Sequence, residues 1–305
     1  MISKEWWEAR WKLLLGVAAV IVLIVVLPRS YAQIQEDVRF EIEMMRGDIE
    51  SPEEALGLMG ERERERYVQD TREQVQEMRN PEYAVDMARF EARDAYTATI
   101  FYVLMPLAVL LGAGLVSGEV GRGSIFLILS KPMSRTRVLL TKCAVCVACL
   151  LATAVIGGVG MILSFYARGY PAEAINLERF FVVGVLAWLA SLFVFGVAVV
   201  ASVVFRDVLR SLVAIGATML TILAGPFVVR AFVEWLVWGN RMYQIDFRTL
   251  PEWYRAFDWF SLLTYWFAQR PYGGESIVTQ SIVVCVATAA AVLMAAFWLF
   301  NRKTF

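Results

Sequence analysis

Six apolar stretches, at 11–27, 98–116, 138–166, 180–205, 211–238 and 277–300, limit what this chain can fold into. A helix rising 1.5 Å per residue needs roughly 20 apolar residues to cross a hydrocarbon core about 30 Å thick. Lipid offers no hydrogen bonds, so each stretch must satisfy its own backbone as a helix. The expectation is an all-α polytopic membrane protein with six transmembrane helices in a single domain, 1–305. With 59% hydrophobic residues the chain is too apolar for a soluble globule.

The first stretch is short and follows KEWWEARWK, where Trp6, Trp7 and Trp11 alternate with Lys4, Arg10 and Lys12. That pattern predicts an N-terminal interfacial helix lying on the membrane before the chain turns in. No small-residue cleavage site follows Leu27, so the segment does not read as a cleaved signal peptide.

The five lysines set the orientation. Lys4, Lys12, Lys131, Lys142 and Lys303 fall in the N-terminus, the connection between spans two and three, or the C-terminus. Arg122, Arg135, Arg137, Arg206, Arg210 and Arg302 join them on the same side of a six-span layout. Positive loops stay in the cytoplasm, which predicts an integral protein of a bacterial or archaeal cytoplasmic membrane with both termini inside.

Two segments are then extracytoplasmic. Residues 28–97 read as an inserted helical hairpin between spans one and two. Ser51 and Pro52 open a stretch of good helix formers that stops at Asn80-Pro81, and a further helix from about Glu82 runs into the second span. The ERERER run reads as a solvated face with intrahelical ion pairs. Residues 239–276 crowd Trp, Tyr and Phe among Arg241, Arg248, Arg255 and Arg270, a composition suited to an outer interfacial or re-entrant region.

The connection between spans two and three is the most informative stretch: SGEVGRGSIFLILSKPMSRTRVLLTK, residues 117–142. Gly121, Arg122 and Gly123 break the second span after Glu119, and Ser124 is placed to cap a short apolar helix containing Ile125, Phe126, Leu127 and Leu129. Ser130, Lys131 and Pro132 end it, and Ser134, followed by Arg135, is placed to cap the third span. Leaving those apolar side chains in water would cost a few kcal/mol at about 25 cal/mol per Å², so a partner or membrane lipid should cover them.

In this order the residues resemble the permease subunits of type 2 ABC transporters. That family places an acidic residue after the second span, then a Gly-Thr or Gly-Ser step, a leucine-rich turn, Ser-x-Pro-x-Ser-Arg and a downstream lysine. Glu119, Gly123, Ser124, Leu127, Leu129, Ser130, Pro132, Ser134, Arg135 and Lys142 match in order. The six-span layout, the amphipathic N-terminus and the aromatic region before the last span also resemble the family, whereas the charged insertion is longer than the resemblance leads one to expect. The resemblance implies an exporter subunit that pairs with itself or a paralogous permease. It also implies a coupling helix at about 119–135 docked on a separate ABC ATPase subunit. No GxxxxGK[ST] phosphate loop occurs in the sequence, so ATP and magnesium are expected on that partner, with no cofactor in this chain.

Other candidates carry less. Cys143, Cys146 and Cys149 form a stripe on the third span, with Cys285 on the last; small thiols read as packing residues rather than soft-metal ligands. Arg230 and Glu234, four apart in the fifth span beyond Pro226, are a possible pathway pair, since ionisable groups at membrane depth are costly unless used. Gly112, Gly114 and Gly118 on the second span, and Gly157, Gly158 and Gly160 on the third, read as close packing. Asp207, between Arg206 and Arg210, reads as a tight inner turn between spans four and five. A chain without histidine, and without a nucleophile and base or paired carboxylates in its spans, does not read as an enzyme. Its balance of 29 basic and 29 acidic residues points away from nucleic acid. The alternative function is a membrane-anchored sensor or interaction protein using the outer hairpin. Drugs, lipids, peptides, polysaccharides and ions all remain open as substrate.

Overall fold

The computed structural model describes residues 2–50, 61–124, 134–238 and 275–303. Within them the chain is helical, with one short 3-10 turn and no strand. In order the helices are α1 (Ile2–Val26), α2 (Tyr31–Glu50), α3 (Glu61–Met78), α4 (Pro81–Ala113) and α5 (Ser117–Gly121). These are followed by α6 (Arg135–Ala167), α7 (Leu177–Val204), α8 (Val208–Trp238) and α9 (Glu275–Arg302).

Among the described residues five helical stretches are long and apolar enough to cross a membrane: Ala9–Val26, Pro81–Gly121, Arg135–Ala167, Ala172–Val204 and Thr279–Arg302. The expected span at 211–238 lies on α8, a continuous 31-residue helix whose described apolar part is Val208–Ile222. The anticipated turn between an interfacial helix and the first span is absent. Ile2–Val26 is one uninterrupted helix, because no proline and no glycine earlier than Gly16 is available to break it. Trp6, Trp7 and Trp11 remain exposed on it, with the Arg10 guanidinium 3.3 Å from the Trp7 ring centroid. The aromatic region at 239–274 and the Ser51-Pro52 helix start lie outside the described residues.

The helices fall into two compact units. One comprises Met1–Ala19, Ile100–Val155 and Val182–Phe305. Part of its core is a cluster of Ala113, Ala198, Ala201 and Ile215, packed on by Val109, Phe205 and Leu212. Small residues let backbones approach: a Cβ on Gly112 would lie 2.5 Å from the Ala198 Cβ, far inside contact distance, whereas one on Gly114 would meet nothing within 4 Å. The predicted packing role thus holds for Gly112 and not for Gly114.

The other unit comprises Val20–Thr99 and Ile156–Phe181. Here α2 packs along α3. Each helix start has a chemical reason. Ser30 and Gln33 form a reciprocal capping box at α2, with the Ser30 N–H donating to Gln33 Oε1 at 2.9 Å and the Gln33 N–H to Ser30 Oγ at 3.3 Å. Asn80 accepts from the Glu82 N–H at the start of α4, with Pro81 in the first helical position. A second helix running from Pro81 into the second span was legible from that dipeptide.

At the other end, α6 stops in a Schellman motif. Gly169 adopts φ +79°, its N–H donates to the Tyr166 carbonyl, and the Tyr170 N–H reaches Phe165 O at 3.1 Å. The accompanying apolar contact is between the Phe165 and Tyr170 rings, 5.1 Å apart, and it seeds an aromatic cluster. Tyr96 stacks on Phe180 at 4.7 Å, and Tyr31 lies 6.3 Å from Tyr170. Gly160 in this unit is also a contact residue, since a Cβ there would meet Ile24 Cδ1 at 2.6 Å.

The glycines on α4 and in the turn after it make a paired prediction. Gly112→Ala should lower the thermal midpoint of the detergent-solubilised protein, while Gly114→Ala should leave it within error. Equal behaviour of the two would contradict close packing at Gly112.

Candidate functional site

The second span does not end where its apolar run ends. Gly112 and Gly114 weaken the helix, and α4 stops at Ala113; after a turn at 114–116 the chain resumes as α5. The break frees backbone donors inside the protein, where an unpaired N–H is costly. Ser202 on α7 resolves this, its Oγ accepting from the Val116 N–H at 2.9 Å and the Ser117 N–H at 3.0 Å. Ser117 Oγ meanwhile donates to Ala113 O at 2.6 Å. Both serines are fully buried.

This turn aims Glu119 inward. Its Oε1 accepts from Lys142 Nζ, a helix turn or two into α6, at 2.8 Å, with the side chains only 8% and 3% exposed. The second carboxylate oxygen has no hydrogen-bond partner among the described residues. Sequence reasoning placed both residues in the motif but not against each other. A buried ion pair at this spacing couples the end of the second span to the start of the third.

Gly123 ends α5 with φ +72°, a left-handed conformation that favours glycine, and its N–H donates to Val120 O. Ser124 turns back on α5, donating from Oγ to Glu119 O at 3.4 Å. Its expected role as cap of the following helix falls on residues outside the description, as do Ile125, Phe126, Leu127, Leu129 and Pro132. Arg122 is exposed at the end of α5. Ser134 behaves as expected, its Oγ accepting from the Arg137 N–H at 3.3 Å to cap α6.

Two further connections gather at this site. The turn at 205–207 lies against α5: a Cβ on Gly121 would sit 3.6 Å from Arg206 O, and one on Gly118 would sit 3.8 Å from Val208 Cγ2. Asp207 caps α8 by accepting from the Leu209 N–H at 3.2 Å, which bears out the tight turn. Arg135 donates to Lys303 O at 2.7 Å, and Thr136 to Asn301 Oδ1 at 3.2 Å, tying the start of α6 to the end of α9.

Lysines finish the other helix ends. Lys303 Nζ donates to the Val203 and Val204 carbonyls at the C-terminus of α7, and Lys12 Nζ donates to Leu110 O in the last turns of α4 at 2.7 Å. A cation beside the unpaired carbonyls of a helix C-terminus is favoured by the macrodipole. Burial, and then the nearby Arg206, pull the Lys303 ammonium below the usual lysine value. Lysine position was visible in the sequence as a topology signal; its second use as a helix cap was not, since the carbonyls it meets are about a hundred residues away.

Cys143, Cys146, Cys149 and Cys285 are buried free thiols, and among the described residues no group of three or more His, Cys, Asp or Glu side chains is placed to hold a metal. Arg230 and Glu234 lie on α8, with their side chains outside the described residues.

The buried pair makes a stability prediction. Glu119→Gln or Lys142→Met alone leaves one charge uncompensated and should cost about 3–5 kcal/mol. The double variant should recover much of that loss in thermal unfolding. Additive losses would show that the two groups do not act on each other.

The sequence profile described as ABC-2 family transporter protein matches residues 1–305. No curated protein matches the chain. With its membrane-length helices and a profile match over residues 1–305, the chain belongs to the ABC-2 family of transporter proteins.

Proposed function

We propose that this subunit is the permease of an ATP-driven exporter and couples to a separate ATPase through residues 119–135. The observation that carries this reading is the buried Glu119–Lys142 pair, which joins the root of that loop to the third span. A push on the loop is thereby transmitted to two membrane helices at once, rather than being absorbed by a flexible connection. The absence of a phosphate-binding loop from residues 1–305 gives the loop a reason to dock on an ATPase.

The ATPase faces the loop, the turn at 205–207 and the C-terminus, which together form one cytoplasmic end. Both termini are inside a bacterial or archaeal cytoplasmic membrane, α8 is the fifth of six spans, and α2 with α3 forms the extracytoplasmic hairpin. Two copies, or this chain and a paralogue, enclose the substrate path. Arg230 and Glu234 face that path. Movement of the loop rocks the second and third spans and opens the path outward.

Phe126→Asp should abolish co-purification of the ATPase while the permease itself remains folded in the membrane. Glu119→Ala should lower substrate-stimulated ATP hydrolysis at least as strongly. Unchanged association and transport in both variants would contradict the coupling role. Deleting 37–80 should preserve coupled hydrolysis, because the hairpin is not part of the drive; complete loss of function with no ATPase recruited at all would favour the sensor reading.

A further inference from the structure

In the unit formed by Val20–Thr99 and Ile156–Phe181 a cleft of about 150 Å³ opens between α4 and the start of α7. Among the described lining residues Arg89, Arg93 and Arg179 stand beside one acid, Asp86, three guanidinium groups to one carboxylate. Its wall is apolar, formed by Phe90 and Phe180. Two of these guanidinium groups have contacts within the unit. Arg89 Nη1 bonds Asp86 at 2.5 Å and its Nη2 donates to Glu173 O at 3.2 Å, while the Arg93 guanidinium lies 5.2 Å from the Phe90 ring centroid.

The cleft sits where two spans leave the lipid. After Asp94 the next charged residue is Glu119, beyond the end of α4, and after Arg179 the next is Arg206, beyond the end of α7. Arg93 and Arg179 therefore mark the same boundary between the charged and the apolar part of two membrane helices. Around them Phe90, Leu177 and Phe181 stay 57%, 55% and 72% exposed, an apolar surface that water would not favour at this depth.

From this placement we propose that the cleft binds the phosphate headgroup of an anionic phospholipid, with the acyl chains lying against Phe90, Leu177 and Phe181. Guanidinium groups are suited to phosphate by their planar donor fork. The apolar exposed rim matches an acyl chain and has no use for a free anion. The site shares no residue with the Glu119 region and requires only that α4 and α7 cross the membrane, so its failure would leave the proposed ATPase coupling untouched.

The test uses the full chain, delipidated in neutral detergent, and compares phosphatidylglycerol, phosphatidylcholine and inorganic phosphate by native mass spectrometry and thermal midpoint. Phosphatidylglycerol should be retained on the order of tenfold more than phosphatidylcholine, with the preference falling as salt rises. Inorganic phosphate should give no comparable shift. Arg93→Gln/Arg179→Gln should bring the two lipids to near-equal retention, while Arg93→Lys/Arg179→Lys should keep part of the preference. Should the glutamine variant fail to fold, the lipid comparison and salt dependence of the wild type together with the lysine variant decide. Equal retention of both lipids by the wild type, or a preference that survives the glutamine substitutions, would overturn the proposal. A phosphate shift equal to that of phosphatidylglycerol would overturn it in favour of a soluble-anion site.

Discussion

A carboxylate and an ammonium taken out of water at 2.8 Å hold α5 against α6. Neither Glu119 nor Lys142 would be tolerated alone at such burial, so the two helices that carry them are committed to one arrangement. The pair is possible only because α4 breaks at Ala113 and resumes as α5, turning the acid inward. That break in turn depends on Ser202, which takes the two backbone donors the turn leaves over. One helix interruption, one hydroxyl and one ion pair therefore form a single unit, and the loss of any member exposes the polar groups of the others.

Around this unit, charge has a mechanical use. Lys12 and Lys303 each close the C-terminal carbonyls of a membrane helix, and Arg135 holds the chain near its end by the Lys303 carbonyl. Lysines that read in the sequence as a topology signal thus also finish helix ends in the fold. The segments that flank the 119–135 loop are thus cross-tied between α5, α6, α7 and α9, a fitting base for the proposed contact with an ATPase.

Much of this was readable from residue order. The membrane helices follow from uncharged runs of sufficient length, the start of α4 from Asn80-Pro81, and the cap on α6 from Ser134. Family membership followed from the order of Glu119, Gly123, Ser124, Pro132, Ser134 and Lys142. What stayed hidden was every contact between residues distant in sequence. Nothing local to Ser202 indicates that it serves the second span, and nothing local to Lys303 indicates α7. The first helix was misread for a different reason: tryptophans interleaved with charges are equally compatible with a helix lying on the membrane and with the entry turns of one that crosses it. Only continuity of the backbone through Gly16 separates the two, and Gly16 itself sits against Leu107.

The central claim is that residues 119–135 contact an ATPase on another chain. A photo-crosslinking amino acid placed at position 126 in cells tests this directly, with one at position 90 as the comparison. The account predicts an adduct from position 126 whose partner carries a nucleotide-binding phosphate loop, and no such adduct from position 90. Absence of that partner at position 126, or its capture equally from both positions, would contradict it.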